Sequence, residues 1–366
     1  MVVKGVRNSI KNVATYVQGN TVEDIKEKHG LNSISKLCFN ENPYAPYSVC
    51  KKAIKENMDS YNCYPEEDYI KLKEMIAQKN NFSSNNIALG HGIVGLLETL
   101  SKMFLEKDDQ VIIPESTFGL YEDLSRIMGA EIVKSELDQG KVDVEDVVDN
   151  INSKTKIIWI SNPNNPTGTI INDDEFQYLL SNLPEDVWLI FDEAYYEFAV
   201  GPDYPASMEA VRDGANIILT RTFSKAYGMA GLRLGYAIAN KEVIEIINRV
   251  SQPFNSNRAG LKGAKAILEN GKEADQALKK INKSKEHLIS ELQKRNLEVF
   301  PSYTNFIFFK TPYSAKKIAG RMLKDGVMVA EGSRWGYEKG IRVSIGKPEN
   351  NKIFLNSLDK TLDELN

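Results

Sequence analysis

The chain has 366 residues, 42% of them hydrophobic and 26% charged, with a net charge of −4. That composition is ordinary for a folded globular protein, and the length allows one large domain and one smaller one. The mild negative balance, with lysines scattered rather than banded, gives no electrostatic case for nucleic acid, and no apolar run reaches the ~20 residues a membrane span needs. The three cysteines (Cys38, Cys50, Cys63) and three histidines (His29, His91, His287) stand apart. Their spacing fits neither a disulfide framework nor a metal site. The first residues contain no continuous apolar signal core. The expectation is a cytoplasmic protein with no structural metal and no membrane or nucleic-acid partner.

Residues 1–45 read as an arm. In it, "TVEDIKEKHG" predicts a short helix capped by Thr21 and closed by Gly30, and "KLCFNENPYAP" a short strand broken into a turn. "YPEEDYIKLKEMIAQK" predicts a helix with Pro65 in its first turn. An alternation follows. The strands are "NIALGHG", "QVIIPESTF", "EIVKSEL", "TKIIWISNP", "VWLIFDEAY", "NIILTRTFS" and "GYAIAN", and amphipathic helices separate most of them. Near-continuous apolar strands of this kind predict an α/β fold: a mostly parallel seven-stranded sheet, covered on both faces, across 46–252. After "QPFNSN" the texture changes. A long Lys-rich helical segment is expected over 257–296, then short strands and two helices. This predicts a smaller α+β domain over 253–366, completed by the arm.

In an open parallel sheet, ligands bind outside the carboxyl ends of the strands. Here "IIWIS" ends in "NPNNPTG", "VWLIF" in "DEAYYEF", "NIIL" in "TRTFSKAYGMAGLRLGY", and "IAL" in "GHG". Gly90 and Gly92 at a helix start offer backbone N–H groups to an anion, or simply cap the helix. Thr222 and Ser224 add hydroxyls, and Arg233 a fixed charge suited to phosphate. Lys225 beside them is placed to form a Schiff base with an aldehyde. Asp192 can hold a ring nitrogen protonated. Phosphate, aldehyde and pyridinium together describe pyridoxal phosphate.

The ordered motifs "SNPNNPTGT", "FDEAYYEF" and "TRTFSKAYGMAGLRLGYAIA" resemble those of the fold-type I pyridoxal-phosphate aminotransferases, and within them the histidinol-phosphate aminotransferase branch. The likeness extends to Tyr16 in "ATYVQG", to "FNENPYAP", "YNCYPEED" and "IRVSIGKPENN". It implies pyridoxal 5'-phosphate as cofactor. It also implies transfer of an amino group from an amino acid or histidinol phosphate to a 2-oxo acid such as 2-oxoglutarate. A decarboxylase or lyase of the same fold is the alternative.

The resemblance assigns catalysis to Lys225, Asp192 and Tyr195. Asp192 would partner the ring nitrogen, while Tyr195 and Asn165 would bond the ring oxygen. Thr222, Ser224, Arg233 and the amides near Gly92 and Ile93 would hold the phosphate, with Phe118 stacked on the ring. Tyr64 would reach the phosphate of a neighbouring subunit, which implies a homodimer with shared sites. Arg342 would clamp a substrate carboxylate, with Tyr16 and Asn42 beside it. Plainer readings stand next to these: a solvated lysine at Lys225, a helix cap at Asp192, a turn at Asn165, core packing at Phe118, a strand-face ion pair at Arg342.

Two departures stand out. The run Gly92-Ile93-Val94-Gly95 lacks the acid or hydroxyl that usually follows, and Ala330 stands where the branch carries a second arginine for the substrate phosphate. Arg334 follows Ala330 closely. Arg221 and His91 receive no role.

Overall fold

The computed structural model describes residues 4–11, 13, 21–201 and 203–365, with the backbone alone at 66–68. Tyr16 lies outside the described residues. The arm holds a helix, α1 (Val22–His29), and a short strand, β1 (Ser35–Lys36). Thr21 accepts from the Asp24 amide, Asp24 bonds back to the Thr21 amide, and Gly30 ends the helix at φ 64. Two helices, α2 (Ser48–Glu56) and α3 (Glu66–Lys79), lead into the alternating region.

That region runs β2 (Ile87–His91), α4 (Gly92–Phe104), β3 (Gln110–Pro114), α5 (Leu120–Met128) and β4 (Glu131–Ser135). A small hairpin, β5 (Leu137–Asp138) and β6 (Lys141–Val142), precedes α6 (Val144–Asp149). Then come β7 (Thr155–Ser161), α7 (Asp173–Ser181), β8 (Trp188–Asp192) and α8 (Ser207–Arg212). β9 (Ile217–Thr222), β10 (Leu234–Ile238) and α9 (Lys241–Val250) complete it.

The large sheet has seven strands in the order β2-β10-β9-β8-β7-β3-β4. From β9 to β4 every pairing is parallel, whereas β10 runs antiparallel to both neighbours. The connection 223–233 explains the reversal, because it is shorter than the crossover of a dozen or more residues that a parallel return needs. Along β7 the side chains alternate between two cores. Ile157 and Trp159 pack on the α4, α5 and α9 side, and Ile158 and Ile160 on the other. All four are fully buried, so both faces of the sheet are covered and the strand reads as an unbroken apolar run.

The second unit begins with α10 (Arg258–Glu269) and α11 (Lys272–Lys294). The helical segment expected over 257–296 is made of these two helices, separated at Asn270-Gly271, where glycine weakens the helix. β11 (Glu298–Val299), β12 (Phe306–Lys310), α12 (Ala315–Lys324), β13 (Val327–Met328), β14 (Ala330–Glu331), β15 (Gly340–Ser344) and α13 (Pro348–Leu365) follow. A four-stranded antiparallel sheet forms in the order β11-β12-β15-β14. β1, near the start of the described chain, pairs in parallel with β13. Among the described residues no helix is long and apolar enough to cross a membrane.

Register decides where the polar strand ends fall. Ser161, Asp192 and Thr220 sit side by side on β7, β8 and β9. Thr222, Gly235 and Gly90 do the same on β9, β10 and β2. Four motifs far apart in sequence therefore share one edge.

Candidate active site

Asp192 ends β8 on the same face as Ile190, toward α5. It is buried, and two donors reach it: Tyr121 Oη at 2.6 Å and the Ala194 amide at 3.0 Å. Loss of hydration pushes its carboxyl up to about 6, while these two donors pull the other way. Tyr121 is itself held by stacking on Trp159 at 5.3 Å.

Lys225 follows β9. Its Nζ donates to the Phe39 carbonyl at 3.1 Å and lies 5.7 Å from the ring centre of Tyr195. Loss of hydration draws its amine down to about 8, and the charges of Arg342 and Arg233 add to the effect. Burial pushes the Tyr195 phenol up. The Tyr195 hydroxyl accepts from Asn40 Nδ2 at 2.9 Å. Because the oxygen already accepts there, its own proton is free to point into the cleft. Asn40 is fixed from three sides: its side-chain oxygen accepts from Ser344, its amide donates to Ser344, and its carbonyl accepts from Asn305.

An anion cup lies at the other end of the row. Arg233 sits in the left-handed region at φ 50, and its guanidinium donates to Ala230 O at 3.0 Å without an ion pair among the described residues. Thr222 Oγ1 accepts from the Ser224 amide at 3.0 Å, which orients a loop whose Ser224 hydroxyl is uncommitted. The first turn of α4 adds backbone donors. Here the structure corrects one expectation. The Gly92 N–H donates to Arg233 O at 3.0 Å, so Ile93 and Val94 hold the open amides. Gly92 serves by lacking a side chain: a Cβ there would stand 2.7 Å from Arg233 Nη2. Gly235 does the same beneath Ile93, whose amide nitrogen a Cβ would meet at 2.7 Å.

The opposite wall comes from the second unit. Arg342 on β15 is buried; it donates to Asn165 Oδ1 and, at 2.8 Å, to Cys38 O. Among the described residues its Nε has no partner. Burial pulls this guanidinium down to about 10. Phe118 is half-buried and meets Tyr121 edge-on at 5.5 Å.

Not every expected residue joins this cluster. Asn42 is corrected from substrate contact to scaffold. Its amide donates to Tyr47 Oη and Ala226 O, and its oxygen accepts from Tyr44 N, so it braces the residue next to Lys225. Tyr64 is 72% exposed and stacks on Phe254 at 4.4 Å, with no bond to the cluster within its own chain. Arg221 now has a role. Strand alternation sends it to the other face, where it pairs with Glu193 at 2.6 Å and bonds Asn80 at 3.0 Å. Tyr121, Asn40 and Ser344 are the residues that sequence reasoning missed. Tyr121 was hidden as one apolar position of an amphipathic helix, three residues after Phe118.

The donor set fits pyridoxal phosphate. An unpaired arginine, a free hydroxyl and two helix amides suit the phosphate. A glycine cradle leaves room for it. A desolvated lysine suits an aldehyde, and a buried carboxylate suits a pyridinium nitrogen.

The model of the family "Aminotransferase class I and II" matches residues 32–358. Histidinol-phosphate aminotransferase 2 of Carboxydothermus hydrogenoformans is 35% identical, covering 98% of this chain and 100% of that one. The histidinol-phosphate aminotransferase structure from Clostridium acetobutylicum superposes with a TM-score of 0.83 at 26% identity, over 90% of this chain and 99% of that one. The enzyme from Sinorhizobium meliloti, solved with pyridoxal-5'-phosphate, has a TM-score of 0.91 at 23% identity, over 100% and 99%. That last likeness speaks to the fold. The chain belongs to the class I and II aminotransferases, in their pyridoxal-phosphate-dependent histidinol-phosphate aminotransferase branch.

Proposed function

We propose that this enzyme moves an amino group from histidinol phosphate or an anionic amino acid to a 2-oxo acid such as 2-oxoglutarate, and that it works as a cytoplasmic homodimer with shared sites. One observation carries the reading: the desolvated amine of Lys225 lies within reach of the charge of the buried guanidinium of Arg342. When bound, pyridoxal phosphate supplies an electron sink for the pair left at the substrate Cα. Asp192 would hold a proton on the ring nitrogen. Lys225, whose amine burial draws down to about 8, would take the Cα proton and return it. Tyr195 and Asn165 would bond the ring oxygen. Arg342 would fix the donor's anionic end, and Phe118 would stack on the ring.

Division into an arm (1–45), a large unit (46–252) and a small unit (253–366) fits this plan, because Arg342 and Lys225 then belong to different units. The dimer reading is supported by an exposed apolar face. Tyr64 and Phe254, stacked at 4.4 Å, are 72% and 48% exposed, and Phe254 lines a cavity of about 560 Å³ with Pro65, Arg249 and Pro253.

The test is a half-reaction. Holoenzyme mixed with a single amino donor and no acceptor should accumulate pyridoxamine phosphate; release of carbon dioxide without it would mean a decarboxylase. For the dimer, inactive Lys225→Ala and Tyr64→Ala proteins are mixed. Activity should return, because one hybrid site has an intact Lys225 and an intact Tyr64. Two fully active single proteins, or no rescue, would sink the shared-site reading.

A further inference from the structure

Two guanidiniums flank one indole. The Arg342 Cζ lies 4.8 Å from the ring centre of Trp335, and the Arg334 Cζ lies 5.0 Å from it. Arg342 is 6% exposed, and among the described residues its Nε has no partner. Arg334 is exposed, on the short turn Gly332–Trp335. Among the described residues neither forms an ion pair. Nearby Lys36 differs, since Glu41 neutralises it at 3.0 Å.

Like charges on one aromatic plane repel each other, and the ring offsets only part of that. An arrangement of this kind is relieved when an anion arrives. The turn that carries it is anchored, not loose: Ser116 Oγ donates to the Trp335 carbonyl at 2.5 Å, tying it to the loop after β3. Ala330 stands directly opposite Arg342 in the strand pair and is too short to reach the cleft with any polar atom. A second charge for the ligand must therefore come from beyond β14. Arg334 is the cation that shares the indole with Arg342.

We infer that Arg334 is a specificity-determining residue, which together with Arg342 selects amino donors that carry a second negative charge, on one phosphate or on a second carboxylate. This rests on the aminotransferase reading of the same cleft. A single carboxylate is satisfied by the fork of Arg342 alone. A phosphate ester, or a second carboxylate, has charge left over, and Arg334, which shares the indole with Arg342, is the cation available to it. The exposure of Arg334 makes its contribution modest and salt-sensitive.

The experiment compares matched donors in wild-type, Arg334→Gln and Arg334→Lys holoenzymes. One pair is histidinol phosphate and histidinol; the other is glutamate and glutamine. In Arg334→Gln the preference for the more charged member of a pair should fall about twofold to fivefold, through KM rather than kcat. Arg334→Lys should recover part of it. Added salt should erode the wild-type preference more than the residual preference of Arg334→Gln. A loss only in the histidinol pair assigns Arg334 to phosphate, and a loss only in the glutamate pair assigns it to a carboxylate. An unchanged preference in both pairs overturns the inference. Calorimetric titration of histidinol phosphate and histidinol into the same proteins gives a second reading. If no donor is transaminated, the proposed function fails, while the binding ratio still decides the role of Arg334.

Discussion

The hydroxyl of Tyr121 donates to Oδ2 of Asp192 across 2.6 Å, with both side chains closed to water. It is the first of the donors that keep this buried carboxyl from rising beyond about 6. A folded value above the usual 3.8 makes the ionised group a destabilising one. Its contribution to stability is complete below the unfolded value and is lost as pH rises through about 6. In the cofactor-free protein, Asp192→Asn should therefore be more stable than wild type, by up to about 3 kcal/mol at neutral pH. The gap should narrow as pH falls from about 6 toward 3.8. Urea denaturation across pH checks this. The same variant should transaminate poorly, so stability and activity move in opposite directions. Tyr121→Phe should raise the Asp192 carboxyl further and shift the acid limb of the pH–rate profile upward.

Lys225 supplies a kinetic prediction. Its amine, drawn down to about 8, is partly neutral near physiological pH. The rate at which the cofactor-free protein takes up pyridoxal phosphate should rise through an inflection near 8, against about 10.4 for an ordinary lysine. Stopped-flow absorbance reads it directly. Lys225→Ala should lose the absorbance of the lysine-linked cofactor and all transamination. A variant that still transaminates would exclude Lys225 as the catalytic base.

Asn40 allows backbone strain to be separated from side-chain contact. It sits at φ 56, where glycine is at ease and alanine is strained. Asn40→Ala should be less stable than Asn40→Gly by about 1 kcal/mol. Both should shift the pH titration of the cofactor absorbance equally, because both remove the donor to Tyr195. A wild-type titration curve in Asn40→Gly would show that the amide does not position the phenol.

The Arg221–Glu193 pair predicts a loss of stability away from the chemistry. Both side chains are closed to water, and Ser207 and Tyr204 also donate to Glu193. Arg221→Met alone should cost about 3–5 kcal/mol by stranding the carboxylate. Arg221→Met combined with Glu193→Gln should recover part of that. Denaturant midpoints of the two proteins decide it.

Much of this was legible in the sequence. The alternation of apolar strands and amphipathic helices announced the large sheet, because a strand covered on both faces has no polar side to hide. The polar clusters announced the site, because a buried strand ends in polar residues only where something binds or turns. Strand direction was not legible. "GYAIAN" is equally apolar either way, and the length of the link before β10 was the missing clue. Nor could the sequence show that Gly92 gives its N–H to Arg233, or that the Asn42 amide is fully engaged, since both bonds depend on pairing with distant segments. Arg221 sat between two site threonines, yet its side chain turns to the opposite core.

The antiparallel strand β10 has a consequence for how the protein acquires its cofactor. Thr222 and Ser224 reach the cup from one flank of β10, and the α4 amides from the other. Those two segments are remote along the chain, and only β10 brings them together. The phosphate seat therefore exists only where β10 is paired on both flanks. A chain with β10 displaced would keep the lysine and lose that seat. Affinity for the cofactor is thus a readout of whether the first and last strands of the large sheet are joined.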